Sequence, residues 1–112
     1  MGAVAKTPDA PAAAIAPAHR ELADLAAALA SPTRVAIVDY LTRGECCACK
    51  EVTAEIGFSQ PTISRHLAVL EAAGLVRATK TGTTKRYGLV RERWEDLRAA
   101  VEGFCACAKT GA

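Results

Sequence analysis

At 112 residues, 51% of them hydrophobic and few of them aromatic, the chain is long enough for one compact core and too short for two. Its apolar residues are mostly Ala, Leu and Val, which suits packed helices and argues against an all-β sandwich. The net charge of +2 decides nothing by itself, but its distribution does: residues 60–86 hold Arg65, Arg77, Lys80, Lys85 and Arg86 against Glu71 alone, whereas residues 87–112 balance four basic with four acidic side chains.

Five cysteines are an odd number. The stretch from Met1 to Pro17 has one lysine, several prolines and no continuous apolar run, so neither an export signal nor a membrane partner is expected. Lys6 also stands where the myristoylation pattern asks for Ser or Thr. The expected compartment is the cytoplasm, where clustered cysteines act as metal ligands or redox sensors rather than as a disulfide framework.

In chain order, residues 1–17 are rich in Ala and Pro without periodicity, and are expected to form a disordered tail. Residues 18–108 form the single predicted domain, and 109–112 a flexible end. From His19, the positions Leu22, Leu25 and Leu29 fall at helical spacing. Ser31 and Pro32 are a good N-cap and first residue for a second helix carrying Val35, Val38 and Leu41, which Gly44 stops. A short third helix is predicted from about Cys49 to Ile56, with Gly57 ending it. After Gly57-Phe58-Ser59, a fourth starts at the Ser59 cap with Pro61 in its first turn, buries Ile63, Leu67 and Leu70, and ends at Gly74. The period then alternates over Leu75–Thr79 and Lys85–Val90 around Thr81-Gly82-Thr83, which predicts a two-stranded hairpin. A last helix carries Trp94, Leu97, Val101 and Phe104, a narrow stripe of the kind that packs on a partner helix.

Two helices joined by a three-residue, Gly-containing turn and followed by a hairpin with basic flanks make the order of a winged helix-turn-helix. The predicted fold is thus mainly α, about five helices plus a two-stranded wing, acting as a homodimer. On the fourth helix, Ser59, Gln60, Thr62, Ser64 and Arg65 lie opposite the apolar face and suit base edges and phosphates of double-stranded DNA, with His66 beside them. Lys80, Lys85 and Arg86 on the hairpin would add salt-sensitive phosphate contacts.

Glu45-Cys46-Cys47-Ala48-Cys49 precedes this reading head. Thiolates select soft ions, which favours trivalent arsenic, Cd(II), Pb(II) or Zn(II) as effector. Residues two apart on a helix point about 200° apart, so Cys47 and Cys49 can share an ion only if the helix start is bent or frayed, and ligation would displace the head. Cys46, or Cys105 and Cys107 near the C-terminus, would complete the set: three thiolates for arsenite, four for a divalent ion. A thiol-redox or persulfide switch is the rival reading. With two histidines and scattered carboxylates there is no catalytic constellation, and Cys46 and Cys49 lack the βαβ unit of a thiol reductase.

The run Ser59-Gln60-Pro61-Thr62-Ile63-Ser64-Arg65-His66-Leu67, followed by Leu70-Glu71-Ala72-Ala73-Gly74-Leu75-Val76, resembles the recognition helix of the ArsR/SmtB metalloregulators. Leu29-Ala30-Ser31-Pro32-Thr33-Arg34 is similar to the start of that family's second helix. The resemblance implies a dimeric repressor released from its operator by an effector, with Leu22, Leu25, Leu29, Trp94, Leu97, Val101 and Phe104 at the dimer interface. Glu45, Cys47 and Cys49 match the motif of its arsenic-responsive members, whereas Lys50, Glu51 and Val52 depart from it.

Overall fold

A computed structural model describes residues 14–44 and 46–111, with the last side chain described being Ala108. Among these residues the order is α1 (Pro17–Ala28), α2 (Pro32–Leu41), β1 (Cys47–Ala48), α3 (Cys49–Ile56), α4 (Gln60–Ala72), β2 (Val76–Thr81), β3 (Thr84–Leu89) and α5 (Arg91–Gly111). The expected tail lies outside the described residues as far as 13, and so does Glu45. The last helix runs past the predicted domain end at 108.

Local chemistry sets most of these boundaries. Ser31 caps α2 by accepting from the Arg34 amide at 3.3 Å, with Pro32 at the first helical position. Ser59 does the same for α4, accepting from the Thr62 amide at 3.4 Å. Gly57, at φ +103°, takes the left-handed conformation that turns α3 towards α4. Gly74, at φ +82°, ends α4, and a side chain there would press on the Arg93 guanidinium at 3.1 Å.

The hairpin β2–β3 pairs antiparallel from Val76 with Leu89 to Thr81 with Thr84. β2 is one residue longer than predicted, β3 is displaced by one residue towards the turn, and a third strand joins them. β1 pairs with β3 through Cys47 with Tyr87 and Ala48 with Arg86, giving the order β1-β3-β2. A segment assigned from sequence to the start of a helix is therefore an edge strand of the wing sheet.

The core joins Leu25 and Ala28 of α1, Ile37 and Leu41 of α2, Val52 of α3, Ile63, Leu67 and Leu70 of α4, and Leu75, Val76, Cys47 and Tyr87 at the sheet. Two expectations are corrected. Val35 is exposed, and Ile37, about 200° round the helix from it, takes the core position on α2. Leu25, expected at a subunit interface, is 2% exposed within this one chain.

Helix α5 changes character along its length. Its first turns close on the core: Trp94 and Leu97 pack against it, and the Trp94 indole donates to the Leu75 carbonyl at 3.0 Å. Arg93 donates to the Ala73 carbonyl at 3.0 Å and pairs with Glu21 of α1. Beyond Ala100, Val101 and Phe104 are 44% and 58% exposed.

Candidate nucleic-acid interface and thiol segment

Helices α3 and α4 with the Gly57–Ser59 turn form the helix-turn-helix, and α4 is its recognition helix. With Ile63, Leu67 and Leu70 buried, the opposite face presents Gln60, Ser64, Arg65 and Val69 to solvent. An exposed guanidinium, an amide and a hydroxyl on one helix face can reach base edges and phosphates. Ser59 and Thr62 are partly occupied by the cap, the Ser59 hydroxyl donating to Thr62 Oγ1 at 3.0 Å. Between the start of α4 and the wing lies an open groove of about 690 Å³ lined by Gln60, Pro61, Ser64, Thr83, Thr84, Lys85 and Tyr87, with Ala48, Cys49 and Lys50 on its third side. The Lys85 ammonium sits 5.9 Å from the Tyr87 ring centre, and Lys80 and Lys85 are exposed on paired strands.

Two residues assigned from sequence to DNA turn elsewhere. His66 is half-buried, and its Nδ1 lies 3.2 Å from an Arg34 guanidinium nitrogen. Guanidinium nitrogens only donate, so Nδ1 accepts and the ring is neutral with its proton on Nε2. Burial, then the Arg34 and Arg65 charges, hold its pKa below the usual histidine value. The same Arg34 donates to the Ala28 carbonyl at 2.6 Å and to Ala27 at 3.4 Å, tying the open carbonyl end of α1 to the recognition helix. Arg86, in turn, donates to the Cys46 carbonyl at 3.1 Å and lies 3.5 Å from a Glu51 carboxylate oxygen. It holds the thiol segment to the wing.

The five cysteines occupy unlike surroundings. Cys46 is exposed, Cys47 buried, Cys49 partly buried, and Cys105 and Cys107 exposed on α5. Cys47 stands in β1 and Cys49 opens α3, so the two do not share a helix. Burial first, and then the Glu51 charge, push the Cys47 thiol above its ordinary pKa, against a hydrogen bond from Tyr40 and the Arg86 charge, which pull it down. The Cys49 sulfur lies 3.9 Å from the Gln60 carbonyl, at the first turn of the recognition helix. Among the described residues no three His, Cys, Asp or Glu side chains stand together as a ready metal site, and no helix is long and apolar enough to cross a membrane.

Sequence reasoning missed Arg34, Glu51 and the edge strand. Only the Ser-Pro-Thr-Arg run hinted at the first of these.

Comparison with known proteins places this arrangement. Residues 29–78 match a family model described as a helix-turn-helix domain. The chain is 37% identical over 95 residues to an arsenical resistance operon repressor of Staphylococcus xylosus, covering 80% of this chain and 90% of that protein. It is 36% identical over 85 residues to an HTH-type transcriptional regulator of Methanocaldococcus jannaschii, covering 75% and 94%. Among solved structures, an ArsR-like transcriptional regulator from Rhodococcus superposes with a TM-score of 0.73 at 28% identity, covering 82% of this chain and 86% of that one. A homodimeric winged helix-turn-helix DNA-binding domain from Mycobacterium bovis superposes at 0.64 and 27%, covering 95% and 91%. Relatives aligned over nearly their whole length, and a shared reading head, lead to one conclusion: the chain belongs to the ArsR/SmtB family of transcriptional repressors and is not an enzyme.

Proposed function

We propose that the protein is a cytoplasmic homodimer that holds an inverted-repeat operator and leaves it when Cys46, Cys47 and Cys49 capture a thiophilic ion, arsenite before others. The observation that carries this reading is the double attachment of the thiol segment: β1 is hydrogen-bonded to the wing, and Cys49 touches the first turn of the recognition helix. Any ligand that draws these sulfurs together must disturb both halves of the surface that faces DNA.

Soft sulfur donors fit trivalent arsenic in chemistry. The segment as folded does not present them as a finished site, so capture demands rearrangement. An effector that favours a second conformation is what a release mechanism needs. A hundredfold loss of operator affinity corresponds to about 2.7 kcal/mol of coupling, within the usual range. Relatives named for arsenical resistance support arsenite as the effector.

Dimerisation is supported by the apolar residues left uncovered on α5, Val101 and Phe104, with half-buried Leu22 on α1. Operator half-sites would then lie about 34–36 Å apart on one face of the duplex. A second reading draws on the exposure of Cys105 and Cys107 on the same helix. In a dimer they could join the partner's thiol segment in a four-thiolate site for Cd(II), Pb(II) or Zn(II).

The test is a titration of the reduced protein on labelled duplex with arsenite, Cd(II) and Pb(II), following bound ion and free DNA together. Release by arsenite at three thiols per ion supports the first reading. Release by the divalent ions alone selects the second. Release by an oxidant or persulfide, with neither ion class active, overturns both.

A further inference from the structure

A small interaction set joins the thiol segment to the wing, and two side chains, Glu51 and Arg86, carry it. The Glu51 Oε1 atom accepts from the Ala48 amide at 2.9 Å, which caps the start of α3. Ala48 has no side-chain acceptor, so among the described residues Glu51 supplies the capping interaction from a side chain at this end. The same oxygen faces the Arg86 guanidinium at 3.5 Å, and Arg86 donates at 3.1 Å to the carbonyl of Cys46. Ala48 and Arg86 are also register partners in the β1–β3 ladder. One carboxylate and one guanidinium thus bracket residues 46–48 between the helix they precede and the strand they pair with. Glu51 departs from the motif of the arsenic-responsive branch, so its role belongs to this chain's own geometry.

We propose that Glu51 is the positioning residue that couples thiol occupation to the wing: while it bridges Ala48 and Arg86, the segment stays in the sheet and the wing is held for DNA, and ligand capture breaks the bridge. The inference rests on the thiol reading above and adds the route by which that site acts. Its thermodynamic consequence is unusual for a structural contact. If capturing the ion requires the bridge to open, a protein without the bridge binds the ion more tightly, because that opening no longer opposes capture. The same protein binds DNA more weakly before any ion is added.

The magnitudes follow from exposure. Arg86 and Glu51 are 36% and 46% exposed, so their pairing is screened and changes an equilibrium by up to about fivefold. Loss of an N-terminal cap adds about fivefold. Glu51→Ala removes both contributions; Glu51→Gln keeps an acceptor for the Ala48 amide and loses the charge facing Arg86; Arg86→Ala removes the pair from the other side.

The experiment measures two affinities on full-length dimer with thermal unfolding as the folding control. One is arsenite binding in the absence of DNA, read by the ultraviolet absorbance of thiolates ligating arsenic. The other is operator binding in the absence of arsenite. Expected for Glu51→Ala is arsenite binding about fivefold tighter and operator binding about fivefold weaker; for Glu51→Gln, about twofold each way, the two changes multiplying to the bias that the lost contacts supplied. Arg86→Ala, which also loses the bond to the Cys46 carbonyl, should tighten arsenite binding at least as much as Glu51→Gln does, and the double variant no further than Arg86→Ala alone, since both substitutions remove the same pair. Arsenite binding that is unchanged or weaker in Glu51→Gln overturns the proposal; the weaker case would mark Glu51 as a ligand or a general support. Absence of an arsenite signal in the unsubstituted protein overturns the thiol reading and this proposal with it, whereas a normal signal with unaltered variants overturns the proposal alone.

Discussion

Two stretches of the chain carry the same sequence signal, a Cys-x-Cys pair, and the fold treats them in opposite ways. Cys47-Ala48-Cys49 straddles the end of an edge strand and the start of a helix, with one sulfur buried in the core and the other against the recognition helix. Cys105-Ala106-Cys107 lies on an exposed stretch of α5, where residues two apart point about 200° from each other. The first pair is attached both to the wing strand and to the first turn of the recognition helix, whereas the second sits on the exposed part of the last helix. Ligand-binding chemistry alone therefore does not make a switch; the ligands must also belong to the part that moves.

The strongest way to break this comparison is to exchange serine for cysteine in each pair separately. Cys47→Ser with Cys49→Ser should keep operator binding within about threefold and abolish release by arsenite, erasing a response of about 2.7 kcal/mol. Cys105→Ser with Cys107→Ser should leave arsenite release intact. Gel-shift titration with and without arsenite reads both. Loss of arsenite release in the α5 variant would show that the C-terminal pair supplies the third thiolate, and the contrast between the two regions would fail.

A second contrast runs within α5. Trp94 and Leu97 complete the core of their own chain, whereas Val101 and Phe104 remain uncovered two turns later. The helical spacing of the stripe could not separate them, since a side chain that closes a monomer and one that meets a partner obey the same period. Phe104→Asp should weaken the dimer by about 2 kcal/mol per subunit, from the lost burial of an aromatic side chain. Sedimentation equilibrium should find a monomer at micromolar concentration, with the unfolding midpoint of the monomer little changed. A Trp94→Ala variant should show the opposite balance, losing fold stability first. Equal effects from both would mean that the helix is one continuous structural element.

What was legible in the sequence was whatever is decided locally. Ser31, Ser59, Gly57 and Gly74 each act on the backbone within a few residues, and the helix ends fall where their chemistry puts them. The apolar face of α4 was equally clear, because three buried residues on a capped helix leave one period to choose. β1 was not legible: two residues carry no periodicity, and its pairing depends on a strand about forty positions later. The roles of Arg34, Glu51 and Arg86 were hidden for the same reason. On paper they are charges on helices and a hairpin, and such charges are usually solvated; only the fold brings Arg34 to the end of α1 and Arg86 to Glu51. Arg86 and His66, expected at the DNA surface, also hold partners within the chain that their neighbourhood in sequence does not reveal.

The smallest expected effect tests the other attachment of the reading head, between α1 and α4. His66 accepts from Arg34 as a neutral ring, and its folded-state pKa lies below the ordinary 6.5. The unfolded chain therefore binds a proton at a higher pH than the folded one. Stability from this histidine is fully present above about pH 6.5 and declines as pH falls from there towards the lowered folded value, where both states are protonated and the loss is complete. Protonation would also set an imidazolium against the Arg34 guanidinium, loosening the contact between the end of α1 and the recognition helix. The unfolding midpoint should thus drop by a few degrees between pH 7.5 and 5.5, and His66→Gln, which retains a side-chain acceptor without a titrating ring, should flatten that part of the profile. Unlike the arsenite response, this dependence should survive replacement of Cys47 and Cys49. Unchanged slope in His66→Gln would place the acid sensitivity elsewhere and leave the Arg34 contact as packing, which would make the thiol segment the sole adjustable attachment of the recognition helix.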